Sequence, residues 1–168
     1  MQLSIFKKVE VDAPWIVPVK KLIMNENTGE WCKLPYPNHP KGCPNFGKKS
    51  ICPPQAPWLH HHFNINRPLY LVHSEFDLEE HRNNMKQAHP EWSTLQCQCV
   101  LYWQPKSRKQ LIERTGQAMQ ALGCNCFSCV PEAMGLNVYA TARKSGLKLE
   151  KIRNLKTCKH VALIGHTI

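Results

Sequence analysis

Nine cysteines in a chain of 168 residues are the side chains best suited to chemistry here, and six of them fall into two groups. The first group is Cys32, Cys43 and Cys52, eleven and nine residues apart. These spacings are too long for a single zinc knuckle, but they suit a loop that wraps a metal and presents thiolates from several directions. Pro44 and Pro53 directly follow Cys43 and Cys52. A proline after a ligand cysteine removes a competing amide donor and fixes the turn, as in ferredoxin-type loops. The second group is Cys124, Cys126 and Cys129. Cys126 and Cys129 have the C-x-x-C spacing that lets two sulfurs reach one metal or two corners of a cluster. Just past a helix end, free turn amides would donate to those sulfurs and tune them. An iron–sulfur (4Fe–4S) cluster is the first expectation and zinc the alternative. Cys97 and Cys99 alternate on an expected strand and read as core residues, and Cys158 reads as structural. The run His60-His61-His62 cannot turn three rings toward one ion in a regular element. His39, between Cys32 and Cys43, is the substitute ligand if the metal is zinc.

Charge is the second feature. The chain has 22 Lys and Arg against 12 Asp and Glu, net +10. Residues 101–168 hold eleven basic side chains and only Glu113, Glu132 and Glu150 as acids. Such a basic third implies anionic company: nucleic acid, a nucleotide or an acidic redox partner. The candidate anion-binding residues are Arg108, Lys109, Arg143, Lys144, Lys148 and Arg153. The alternative is a solvated basic face. The first ten residues show no basic-then-apolar leader, and no window approaches the roughly 18 apolar residues of a membrane span. The expectation is a cytoplasmic protein with no membrane contact, where thiols stay reduced and a disulfide framework is excluded.

These groups need elements to position them. The length predicts a single domain over residues 1–168. Leu3–Val11 and Ile16–Met24 alternate and predict strands of a hairpin or sheet edge, with a turn at Asn25–Gly29. Residues 31–58 form a Pro/Cys-rich loop, in which seven prolines within 23 residues forbid a helix or a central strand. Pro68–His73 predicts a buried strand. Asp77 and Glu80 form a capping-box pattern for a helix running to about Ala88. Cys97–Trp103 predicts another strand, and Pro105 the start of the longest helix. That helix shows Leu111, Thr115, Ala118, Met119 and Leu122 on one face and ends at Gly123. A Cys-rich turn and a following helix occupy 124–146, and Val161–Gly165 predicts a last strand. The fold class is α/β or α+β, a small mixed sheet with covering helices and a long metal-binding loop.

The same residues carry a resemblance. Gly42-Cys43-Pro44-Asn45-Phe46-Gly47 followed by Cys52-Pro53-Pro54 resembles the front motif of the predicted metal-binding proteins called domain of unknown function 2284. The stretch from Cys126 through Glu132-Ala133-Met134-Gly135 to Ala142-Arg143-Lys144-Ser145-Gly146 is similar to that family's second motif, and the two stand in family order over about residues 40–147. The resemblance implies cysteine-bound metal, iron–sulfur in kind, and no established activity. The family's cysteine run before Glu-Ala-Met-Gly is longer than the one here, which implies one site sharing ligands from both groups. Three functions follow as expectations. The first is a cluster protein in electron transfer or as a cluster-dependent accessory. The second is a cluster-dependent enzyme acting on a nucleotide or RNA base, for example in sulfur chemistry. The third is a zinc-stabilised nucleic-acid-binding module. No Gly-rich phosphate loop, dinucleotide fingerprint or HExxH motif occurs, which excludes nucleoside-triphosphate hydrolysis and zinc proteolysis.

Overall fold

The continuous apolar runs Leu69–Val72 and Val161–Ile164 require cover on both faces of any sheet they join. In the computed structural model, which describes residues 13–36, 39–150 and 156–168, they form its two central strands. Strand β1 (Ile16–Pro18) pairs with β2 (Tyr70–His73), β2 with β6 (Val161–Gly165), and β6 with β4 (Cys126–Ser128). All pairings are antiparallel, so the expected mixed sheet is an antiparallel one in an α+β fold. Strand alternation sorts the side chains. Leu71, Leu163 and Cys126 meet Leu59, Phe63, Met134, Leu136 and Val138 on one face. Val72, Ala162 and Ile164 meet Leu111 and Ala118 of helix α3 (Val100–Leu122) on the other.

Helix α1 (Leu78–Ala88) starts where expected: the Asp77 carboxylate accepts from Glu80 N at 2.8 Å. Strands β3 (Phe76–Asp77) and β5 (Thr157–Cys158) make a separate ribbon over Leu78, Val100, Trp103 and Cys158. Helix α4 (Val138–Ser145) is capped by Asn137, whose side chain accepts from Ala140 N at 3.0 Å, and ends on left-handed Gly146.

Two expectations need correction. Cys97–Trp103 is not a strand. A short helix α2 (Thr94–Cys97) ends there and α3 begins at Val100. Ser93 and Gln96 close a reciprocal capping box, and Val100, Trp103, Ser107 and Leu111 are buried at helical, not alternating, spacing. Pro105 therefore lies inside α3. It leaves the carbonyl of Leu101 without its helical donor, at a residue whose surface is 77% exposed. The second correction concerns Ile16–Met24, which is strand only to Pro18. Beyond it the backbone follows α4, with Lys20 N donating to Ser145 Oγ and Ile23 N to Thr141 Oγ1. Leu3–Val11 lies outside the described residues. Among those described, no helix is long and apolar enough to cross a membrane.

Candidate metal centre

The Pro-rich segment has no helix or strand from Leu34 to Trp58 among its described residues; backbone turns and a few close approaches organise it. Thr28, fully buried, anchors its start: Oγ1 lies 2.6 Å from the Glu132 carbonyl and 3.1 Å from that of Asn25. Cys43 N donates to the Cys32 carbonyl at 2.6 Å, which brings two cysteines eleven residues apart side by side. Only glycine allows this. Gly42 has φ +81, and a Cβ there would meet Cys32 O at 2.5 Å and the Lys33 Cα at 2.7 Å. Farther on, Gly47 N donates to Pro53 O and Gln55 Nε2 donates to Gly47 O, both at 2.8 Å, folding the Cys52 end back toward Cys43. Lys33 Nζ sits 4.9 Å from the Phe46 ring centre and ties the two limbs together.

The electrostatics follow this folding. Burial foremost, then the negative charge of Cys43, Glu132 and Cys52, pushes the Cys32 thiol up. Glu132 follows Pro131 at the start of a one-turn 3-10 helix (Pro131–Met134), and burial pushes its carboxyl up to about 7. Cys32 thus shares one neighbourhood with Cys43, Cys52 and Glu132, whose negative charge raises the cost of its ionisation. A bound cation removes that cost, because thiolate ligands must lose their protons to bind. The donor set fits a thiophilic metal or cluster. Among the described residues, the side chains do not close into a coordinating array of three or more His, Cys, Asp or Glu.

Beside the thiols opens a cavity of about 430 Å³, lined by Cys43, Cys52, Cys129, Arg108, Glu132 and His160 among others. The second cysteine group is divided. Residues 126–128 form strand β4, not a turn, so positions three apart face opposite ways. Cys126 lies in the core with Leu59 and Phe63, its thiol directed at the His62 carbonyl 3.9 Å away. Cys129 lies across the sheet on the α3 side and lines the cavity. Burial pushes the Cys129 thiol up. Cys124 is buried in the α3-side core. Of the first group and the second together, Cys32, Cys43, Cys52 and Cys129 surround the thiol region and cavity, while Cys124 and Cys126 do not.

The remaining candidates are dispersed. Cys97 is fully buried, and Cys158, pushed up to about 11 by burial and then Glu150, sits under Trp103. His60, His61 and His62 are exposed around a single 3-10 turn. His39 lies against Tyr36 with ring centres 4.6 Å apart and the planes tilted, and lines a different depression with Trp92 and Tyr102. Of the five basic candidates among the described residues, Arg108 alone lines the thiol cavity. Lys109 faces a hollow beside Glu75, Arg143 and Lys148 line another by Leu147, and Lys144 is exposed on the last turn of α4. Arg153 lies outside the described residues. Sequence reasoning missed Lys49, Lys159 and His160, which complete the cavity wall. Glu132 was visible only within the family-like Glu-Ala-Met-Gly stretch, and a lone His160 carries no sequence signal. Comparison with family models, with curated proteins and with solved structures returns no match to this chain.

Proposed function

We propose that this chain is a cysteine-ligated metal protein whose iron–sulfur cluster is held by Cys32, Cys43 and Cys52, with the remaining position toward the cavity lined by Cys129 and Glu132. One observation carries the reading: a glycine- and proline-shaped loop gathers three thiols from 21 residues of sequence into one electrostatic neighbourhood. A cavity opens on two of these thiols, Cys43 and Cys52. The resemblance of both motifs to domain of unknown function 2284 points the same way. A bound cluster supplies one-electron transfer. The protein's own part is to half-bury Cys32, to hold the loop through Thr28 and Gly42, and to set the cationic Arg108 near the thiols. Arg108 is close enough to oppose the upward push that burial and Cys43 exert on Tyr36.

The reading assigns the protein to the reducing cytoplasm and to electron transfer or a cluster-dependent accessory role. Among the described candidates, Arg108, Lys109, and Arg143 with Lys148 face three separate hollows, an arrangement that favours a small anionic partner over a continuous nucleic-acid track. Purification under nitrogen tests the metal directly. The expected product is brown, contains iron and acid-labile sulfide, and bleaches in air. Colourless protein with stoichiometric zinc, or with no metal, would overturn the assignment.

A further inference from the structure

Three residues far apart in the sequence form a hydrogen-bonded chain that reaches the wall of the thiol cavity at His160. Ser74 Oγ lies 2.9 Å from Ser107 Oγ, which lies 2.8 Å from His160 Nδ1, and His160 N donates to Ser74 Oγ at 3.3 Å. Ser74 and Ser107 are buried, with 0% and 1% of their surface exposed. Their sealed hydroxyls determine which way the protons run. If Ser74 donates to Ser107 and Ser107 to Nδ1, every hydroxyl proton has an acceptor. Reversed, the Ser74 proton has none among the described residues, at the cost of an unmade buried hydrogen bond. Nδ1 is then the acceptor and the ring carries its proton on Nε2. Burial first, and Arg108 second, push His160 down to about 4, in keeping with a neutral ring. Nε2 has no partner among the described residues.

Arg108, Lys49 and Lys159 line the same cavity and form no ion pair among the described residues. The carboxylates sharing it are Glu132 and Glu150, and Glu150 is already paired with Lys148 at 3.7 Å. Apart from the metal-binding thiols, the three cations outnumber the two acids even when both are ionised. Ile112, Tyr139 and Leu149 supply an apolar side to the cavity. Its volume of about 430 Å³ suits a small organic molecule.

We infer that this cavity is a binding site for a small amphiphilic oxyanion, a carboxylate or phosphate group on an apolar body. Arg108 takes its charge and the Nε2–H of His160 donates to it. Ser107 and Ser74 are positioning residues that fix the donor. The inference rests on the metal reading only for what lies beside the ligand, since none of these groups is a proposed metal ligand.

Calorimetry on the metal-loaded protein tests it, with phenyl phosphate and benzoate as probes and benzyl alcohol as the neutral control. Binding of either anion and not of the alcohol is expected, and the anion that binds identifies the group. Arg108→Ala should weaken binding about tenfold, the order of one charge-assisted hydrogen bond. His160→Leu should weaken it by a similar factor. His160→Gln, which keeps an N–H at the Nε2 position, should stay within about threefold of wild type. Equal binding by wild type and Arg108→Ala, or equal loss in the Gln and Leu variants, would overturn the inference. If His160→Leu does not fold, Arg108→Ala and His160→Gln still decide. Metal content measured on the same samples separates the two ideas. Metal-loaded protein that binds no anion removes this inference alone, and anaerobically prepared protein that holds no metal yet binds the anion removes the metal reading alone.

Discussion

Gly42→Ala should release metal without unfolding the domain, and the loop geometry sets how much. Gly42 holds φ +81, where an L side chain costs about 1–2 kcal/mol. The added methyl would also sit 2.5 Å from Cys32 O and 2.6 Å from the Lys33 carbonyl carbon, inside van der Waals contact with backbone that cannot rotate away. Relief requires parting the 32–33 and 42–43 segments, which breaks the Cys43 N to Cys32 O hydrogen bond, worth about 1 kcal/mol. Together these come to about 3 kcal/mol against the closed loop, roughly a hundredfold in its population. Metal affinity should fall by the same factor, because only the closed loop gathers the thiols. Gly47→Ala is the internal control. It has φ +72 but nothing within 4 Å of an added Cβ, so it should cost about 1 kcal/mol and hold metal within roughly tenfold of wild type. Chelator competition on anaerobic protein reads both variants, and thermal unfolding checks that the sheet survives. Equal metal retention in the two alanine variants would refute the reasoning.

Other outcomes follow from the same structure. Thr28→Val keeps the buried shape but loses the hydroxyl that contacts Glu132 O, and should lower stability by about 1–2 kcal/mol in denaturant titrations; an unchanged midpoint would contradict the anchoring role. His160 is held near 4 against an ordinary 6.5, so its folded form prefers the neutral ring. That contribution is complete above pH 6.5 and is lost as pH falls toward 4, amounting to about 3 kcal/mol. The stability difference between wild type and His160→Gln should therefore shrink by about that much across this window, and a pH-independent difference would exclude it.

The parts of the fold legible in the sequence were those where one period dominates. Val161–Gly165 and Leu69–Val72 are continuously apolar because both sheet faces are covered, and α4 carries Asn137 and Gly146 at its ends. Cys97–Trp103 misled because an aromatic, cysteine-rich run resembles a strand, while its burial at 97, 100 and 103 follows a helix. The first thiol group was legible from its glycines and prolines, whose roles are local. The division of Cys126 from Cys129 was not, since a C-x-x-C spacing is the same in a turn or a strand, and the pairing of Cys126 with Gly165 decides which. The Ser74–Ser107–His160 chain joins residues 33 and 53 positions apart, and nothing in their local sequence announces it.

The most direct measurement is the iron content per chain of anaerobically prepared single variants at each cysteine. Cys32→Ser, Cys43→Ser and Cys52→Ser should each lose most of the bound iron, because every one removes a ligand from the same set. Cys124→Ala and Cys126→Ala, whose side chains lie in the core away from the cavity, should retain it at a modest cost in stability. Wild-type iron content in Cys43→Ser, or loss of iron in Cys126→Ala with the loop thiols intact, would contradict the account.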